Sequence, residues 1–212
     1  SVEIYNNTIY KSDNTSGIPN SNTSCFLICS NISIKNLTIK NIEHSNNELN
    51  PPPITTTSTS TVLYNNFVRP PPSPQPIQPF NPNNNIIIEN VIIDSTCAVA
   101  YNTGIYLTNA SSITLRNVKI IINSTIAASL NTGIHMISSS DCHFYNLSTT
   151  INSDNSNTNT SIHLIDSECN LYNSTLITNS GQQLNAGIYT NNINNLQKLV
   201  QIYNGQIIAY DN

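Results

Sequence analysis

Only six aspartates occur in the chain, Asp13, Asp94, Asp141, Asp154, Asp166 and Asp211, and no two are sequence neighbours. Asp141 and Asp166 open corresponding stretches, SDCHFYN and DSECNLYN, a placement that could bring two carboxylates together. Two such groups can divide the acid and base roles of glycosidic cleavage. The alternative, ordinary turn aspartates, is the reading adopted, and no residue is assigned a catalytic role. His135 and His163 hold equivalent positions, yet no acid or thiol close to them in sequence completes a metal ligand set. The spacing from Cys25 to Cys29 lacks a second pair, and the other cysteines, Cys97, Cys142 and Cys169, form no zinc pattern. No metal and no cofactor are expected.

Aromatic residues carry a second kind of chemistry. Tyr106, His135, His163 and Tyr189 fall at one repeated position. A second series, one residue before a recurring asparagine, runs Tyr5, Lys35, Glu89, Arg116, Tyr145, Tyr172 and Tyr203. Set on stacked strands about 4.8 Å apart, such residues form columns. The tyrosines then stack on one another as a stabilising strip, with the three charged residues as an alternating stack. As carbohydrate-binding candidates, the two series contribute Tyr106, His135, His163, Tyr189, Tyr145, Tyr172 and Tyr203.

The elements that would position these columns come from an internal repeat. Seven segments align on one asparagine: VEIYNNTI, ISIKNLTI, IIIENVII, ITLRNVKI, CHFYNLST, CNLYNSTL and VQIYNGQI. The anchors are Asn6, Asn36, Asn90, Asn117, Asn146, Asn173 and Asn204, at steps of 30, 54, 27, 29, 27 and 31 residues. Asparagine is abundant here, so the flanks are the test. Two and four residues before each anchor, all fourteen positions are apolar in a chain that is 38% apolar. Independent draws would give this about once in a million. Three residues after the anchor the set is Ile9, Ile39, Ile93, Ile120, Thr149, Leu176 and Ile207, with Thr149 the exception.

Alternation before the anchor is a strand with one apolar face, and the shift of parity after it requires a bend. Asparagine is the non-glycine residue best suited to the left-handed backbone of such a bend. Its amide can both donate and accept, so the anchors are expected to form a nearly buried, hydrogen-bonded ladder. TGIYLT, TGIHMI, TSIHLI and AGIYTN supply a further strand per repeat, beginning at residues 103, 132, 160 and 186. Three strands in each 27–31 residues, with no helical signal between them, make an all-β solenoid of about seven rungs.

In this register, GI-x-L…S-S-x-x-I-x-N-x-x-I as in Gly104 to Ile120, the sequence resembles the pectate-lyase-like superfamily of right-handed parallel β-helices. The resemblance covers residues 1–40 and 86–212 and implies a right-handed coil with an asparagine ladder. Enzymes of that superfamily carry clustered acids, including an Asn-Thr-Asp motif. The similar tripeptides here are Asn102-Thr103-Gly104 and Asn131-Thr132-Gly133, with glycine in the place of the acid. The scaffold itself serves lyases, hydrolases, adhesins and structural proteins, so fold alone does not choose among them.

A single domain of residues 1–212 is expected, with Pro/Thr/Asn-rich insertions at about 42–60 and 65–85 inside the 54-residue step. Ten of the eleven prolines fall between Pro51 and Pro82, and a short strand around Thr61 to Tyr64 separates the two loops. Charged residues make up only 8%, against about 25% in ordinary soluble domains. A net charge of -4 with seven basic residues argues against nucleic-acid binding, and no apolar run is long enough for direct membrane insertion. Without an initiator Met or a signal peptide, the chain reads as a mature piece or an excised segment. Ten Asn-x-Ser/Thr sequons occur. Four coincide with the anchors Asn6, Asn36, Asn146 and Asn173, where no glycan is expected; Asn14, Asn22, Asn31, Asn109, Asn123 and Asn159 are the glycosylation candidates of a secreted protein.

Cys142 and Cys169 share one inward column, where stacked free thiols are favoured over a disulfide. The functional expectation is a noncatalytic structural or adhesive β-helix, extracellular or on a cell or virion surface. It would either stack end to end into a filament or belong to a longer solenoid. The alternative is a carbohydrate-binding or carbohydrate-active coil.

Overall fold

The computed structural model describes residues 2–13, 22–27, 32–43, 59–65, 83–97, 101–124, 130–192 and 199–210. In chain order the strands are β1 (Val2–Asp13), β2 (Asn22–Leu27), β3 (Ile32–Glu43), β4 (Thr59–Asn65) and β5 (Asn83–Cys97). Then come β6 (Tyr101–Thr108), β7 (Ala110–Arg116), β8 (Lys119–Ser124), β9 (Leu130–Ile137) and β10 (Ser140–Tyr145). The last are β11 (Ser148–Ile165), β12 (Cys169–Tyr172), β13 (Thr175–Asn191), β14 (Val200–Tyr203) and β15 (Gln206–Tyr210).

Every pairing between them is parallel, and the strands stack as a β-solenoid with three faces. The first face is β2, β4, β6, β9 and the later halves of β11 and β13. The second runs β1, β3, β5, β7, β10, β12, β14. The third is completed by the later halves of β1, β3 and β5, then β8, the start of β11, the start of β13, and β15. Three consecutive turns, 101–124, 130–153 and 158–179, show all three faces in sequence. The long step is one turn too: Lys35 pairs with Glu89 and Leu37 with Val91, and β4 lies between them. Residues 44–58 and 66–82 of the expected insertions lie outside the described residues.

Side-chain alternation builds the core. On the second face Ile86, Ile88, Ile113, Leu115, Cys142 and Phe144 are fully buried, and on the first Ile105, Leu107, Ile134 and Met136. The anchor bends the chain as the parity shift requires. Asn36, Asn90, Asn117, Asn146, Asn173 and Asn204 have φ of 52, 54, 51, 53, 50 and 52°. Because of the bend, the residue after the anchor also turns inward, and Leu37, Val91, Val118 and Leu147 are each at most 1% exposed. Backbone bonding passes through the corner without a gap: Asn117 N donates to Tyr145 O at 2.9 Å and Ser148 N to Val118 O at 2.9 Å.

The anchor side chains correct one expectation. Their amides do form a ladder, Asn90 Nδ2 to Asn36 Oδ1 at 2.9 Å, Asn117 to Asn90 at 2.8 Å and Asn146 to Asn117 at 2.8 Å. The ladder is exposed rather than nearly buried, since a left-handed residue at a convex corner projects its side chain away from the core. Asn173 and Asn204 keep the bend without an amide bond of this kind among the described residues.

Candidate functional site

The outer columns stand where the repeat puts them. On the second face, Lys35 Nζ lies 3.5 Å from Glu89 Oε2, and the Arg116 guanidinium stands 5.6 Å from the centre of the Tyr145 ring. Tyr145 and Tyr172 follow at 4.7 Å and 10° between planes, then Tyr172 and Tyr203 at 4.8 Å and 5°. Ring separation thus equals strand separation, and each phenol lies flat on the next along the coil axis. Burial against neighbours, then the Tyr145 and Tyr203 phenols, push the Tyr172 hydroxyl above its ordinary pKa. Tyr203 donates its hydroxyl to Gln201 Oε1 at 2.9 Å.

This stacking decides what the strip can offer a ligand. A sugar packs its C–H face on an open aromatic face, and inside the strip those faces cover one another. The solvent meets ring edges and hydroxyls, and Tyr203, 45% exposed, ends the described column. On the first face Tyr106 tilts 59° against His135 at 5.0 Å, His135 and His163 stack at 4.6 Å, and Tyr189 tilts 53° against His163 at 5.0 Å. The rings of that column also contact one another, and Tyr189, 39% exposed, ends it among the described residues.

Asp141 and Asp166 do not share a site. Asp141 belongs to the outward bend with Ser112, at φ of 52° and 55°. Ser112 Oγ donates to its Oδ2 at 2.8 Å, and His143 Nε2 lies 3.1 Å from its Oδ1. The Ser112 bond first and His143 second hold the Asp141 carboxyl below its ordinary pKa, the wrong direction for a general acid at neutral pH. Asp166 sits one corner earlier, in register with Ser138, and is 6% exposed. Asp166 precedes Cys169 by one residue fewer than Ser138 precedes Cys142, so Asp141, the counterpart of Ser112, has no counterpart in that turn. Among the described residues no three His, Cys, Asp or Glu side chains gather as a metal site.

Two further amide ladders escaped the sequence reading. Asn152 donates to Asn123 Oδ1 at 3.0 Å, and Asn179 to Asn152 Oδ1 at 2.6 Å, along the third face. Inside the first face, Asn131 Nδ2 donates to Asn159 Oδ1 at 2.9 Å, with both residues fully buried, and Asn159 donates onward to the carbonyl of Asn179. The signal was present as the recurrent Asn-Thr pairs 102–103, 131–132 and 159–160. These contacts bear on the glycan candidates. Asn159, with no exposed surface, has no room for a glycan in this fold, and Asn123 already serves a ladder. Asn109 is half-buried at a corner, φ 49°. Asn22 lies in β2, while Asn14 and Asn31 lie outside the described residues.

Cys142 and Cys169 are both free and buried, stacked in the column expected for them. Burial pushes both thiols up, Cys169 to about 12. Cys142 Sγ donates to Ser140 O at 3.2 Å. No family model, no curated protein and no solved structure matches this chain.

Proposed function

We propose that this chain is a noncatalytic structural or adhesive β-helix of a cell or virion surface, lengthened end-on by further coil. The observation that carries this is the last described turn. Ile202 and Ile207 there are 44% and 46% exposed. One turn earlier, in the same columns, Leu171 and Leu176 are each 1% exposed. Leu171, Leu176, Ile202, Gly205 and Ile207 line a shallow depression at that end. Another parallel turn would bury these side chains and pair β14 and β15. Kinship with the pectate-lyase-like coils belongs to this reading and rests on the repeat register.

The extra turn comes either from a second copy or from more of the same polypeptide. Sedimentation velocity over a range of concentrations, on the wild type and on Ile202→Lys with Ile207→Lys, tests it. Assembly lost in the variant supports stacking of copies. A wild type that stays monodisperse, while a longer polypeptide carrying additional repeats protects both isoleucines from solvent, assigns the turn to one chain. If neither occurs, the end is a stable surface and the proposal fails.

A further inference from the structure

The first-face column holds two imidazoles between two phenols. His135 and His163 are direct strand partners on β9 and β11, with ring centres 4.6 Å apart and planes 27° apart. The Nε2 atom of each is shut off from solvent and has no hydrogen-bond partner among the described residues. No third His, Cys, Asp or Glu among the described residues gathers with the pair to complete a metal site. The titratable groups facing the pair are Tyr106 on β6 and Tyr189 on β13, whose rings close the column at 5.0 Å on either side. Among the described residues no carboxylate acts on either imidazole; His163 is the charge that acts on His135.

We propose that the His135–His163 stack is an acid-labile seam, at which protonation drives adjacent turns of the coil apart. A neutral imidazole tolerates a buried nitrogen without a donor. The imidazolium carries N–H on both nitrogens, so its buried Nε2 becomes a charged donor with no acceptor. A second proton in the stack adds repulsion between two cations at one strand spacing.

The sign follows from linkage. Burial first and His163 second lower His135 to about 4, and burial lowers His163 as well, both from 6.5. The unfolded chain therefore binds these protons more tightly than the folded coil. The stability they contribute is complete above about pH 6.5 and drains away as the pH falls toward about 4. For His135 alone the folded-to-unfolded ratio loses about tenfold per pH unit in that window, roughly 300-fold across it. In a medium near neutrality the seam is silent, and in an acidified one it weakens the step between β9 and β11 against the packing of Ile134 on Ile162 and Met136 on Leu164.

Two measurements on the 212-residue chain test this. Imidazole titration by NMR should place His135 well below an ordinary histidine and His163 below it by less. Urea unfolding at about pH 7.5 and about pH 4.5 should show a large loss of midpoint for the wild type. The loss should be much smaller for His135→Tyr with His163→Tyr, which continues the phenol column. His143 and all carboxylates are common to both proteins, so their titration cancels. Equal pH dependence in the two proteins, or an ordinary pKa at His135, overturns the proposal. If the double variant does not fold, the wild-type titration decides alone.

Discussion

Thr149 Oγ1 donates to Ser161 Oγ across 2.7 Å of the core, and each residue is the exception in its own column. Thr149 interrupts a row containing Ile93, Ile120 and Leu176. Ser161 interrupts Gly104, Gly133 and Gly187. The glycines are steric requirements. A Cβ on Gly104 would come within 2.7 Å of the Gly133 carbonyl oxygen and 2.8 Å of Ile120 Cγ2. Gly133 faces Thr149 within its own turn, and Ser161 stands one turn further along that glycine row, where its hydroxyl accepts from Thr149 and donates to the Ile177 carbonyl.

Ser161→Ala should cost about 1–3 kcal/mol by stranding the Thr149 hydroxyl, and Thr149→Val about 0.5–1.5 kcal/mol, because Ser161 Oγ keeps its own donation to the Ile177 carbonyl at 3.4 Å. Replacing both, as Thr149→Ile with Ser161→Gly, restores the rule of the other turns and should recover most of the loss. Urea denaturation of the four proteins as a double-mutant cycle measures the coupling. Strict additivity would show that the two exceptions are unrelated.

The exposed and buried amide ladders should answer mutation differently. Asn146→Gly keeps the left-handed bend and removes only an exposed bond, for about 0.5–1 kcal/mol. Asn146→Leu adds about 1–2 kcal/mol of backbone strain. Asn131→Ala removes the buried bond to Asn159 Oδ1, at about 1–3 kcal/mol. If thermal melts rank Asn146→Gly as the most damaging of the three, the ladder rather than the bend holds the corner.

Polysaccharide cleavage should not depend on the aspartates, because Asp141 is ionised and outward while Asp166 stands one corner away. The expected assay result is no release of reducing or unsaturated ends from acidic or neutral polysaccharides. Release abolished by Asp141→Asn or Asp166→Asn would establish an enzyme instead. On a glycan array, binding lost with Tyr145→Ala and Tyr172→Ala would revive a lectin role despite the covered ring faces.

Cys142 and Cys169 should resist thiol reagents in the native protein and react only on unfolding, since burial keeps both protonated and out of reach. Rapid native labelling of either, followed by mass spectrometry, would contradict the packing around Phe144 and Leu171.

Much of the coil was legible because apolar parity is a strong, local signal. Ile86/Ile88 and Ile113/Leu115 announce their inward faces, and the slip of parity past Asn90 and Asn117 announces the bend. The direction of the anchor amides was not legible, because it depends on which side of the corner is convex. The buried Asn131 and Asn159 were hidden by composition: in a chain full of asparagine, a core amide looks like any other. The tyrosine column could be placed from spacing. That its rings cover one another follows only when strand separation is set beside ring separation, and this changes what Tyr145 and Tyr172 can bind. Asp141 stands at a bend, as the turn-aspartate reading has it, one corner on from Asp166.

The unbroken backbone bonding at the Asn117 and Asn146 corners makes the coil a ruler. Removing Val118 to Asn146 as one block would join Asn117 to Leu147, with the same residue type and the same bend at the new junction. The rod would shorten by about 4.8 Å, one strand spacing, and its outer columns would close over the gap. Duplicating the block would lengthen it by the same amount. The reach of such a protein is thus a digital quantity, set by how many times a block of about 27 to 31 residues is written, and independent of what its outer columns display.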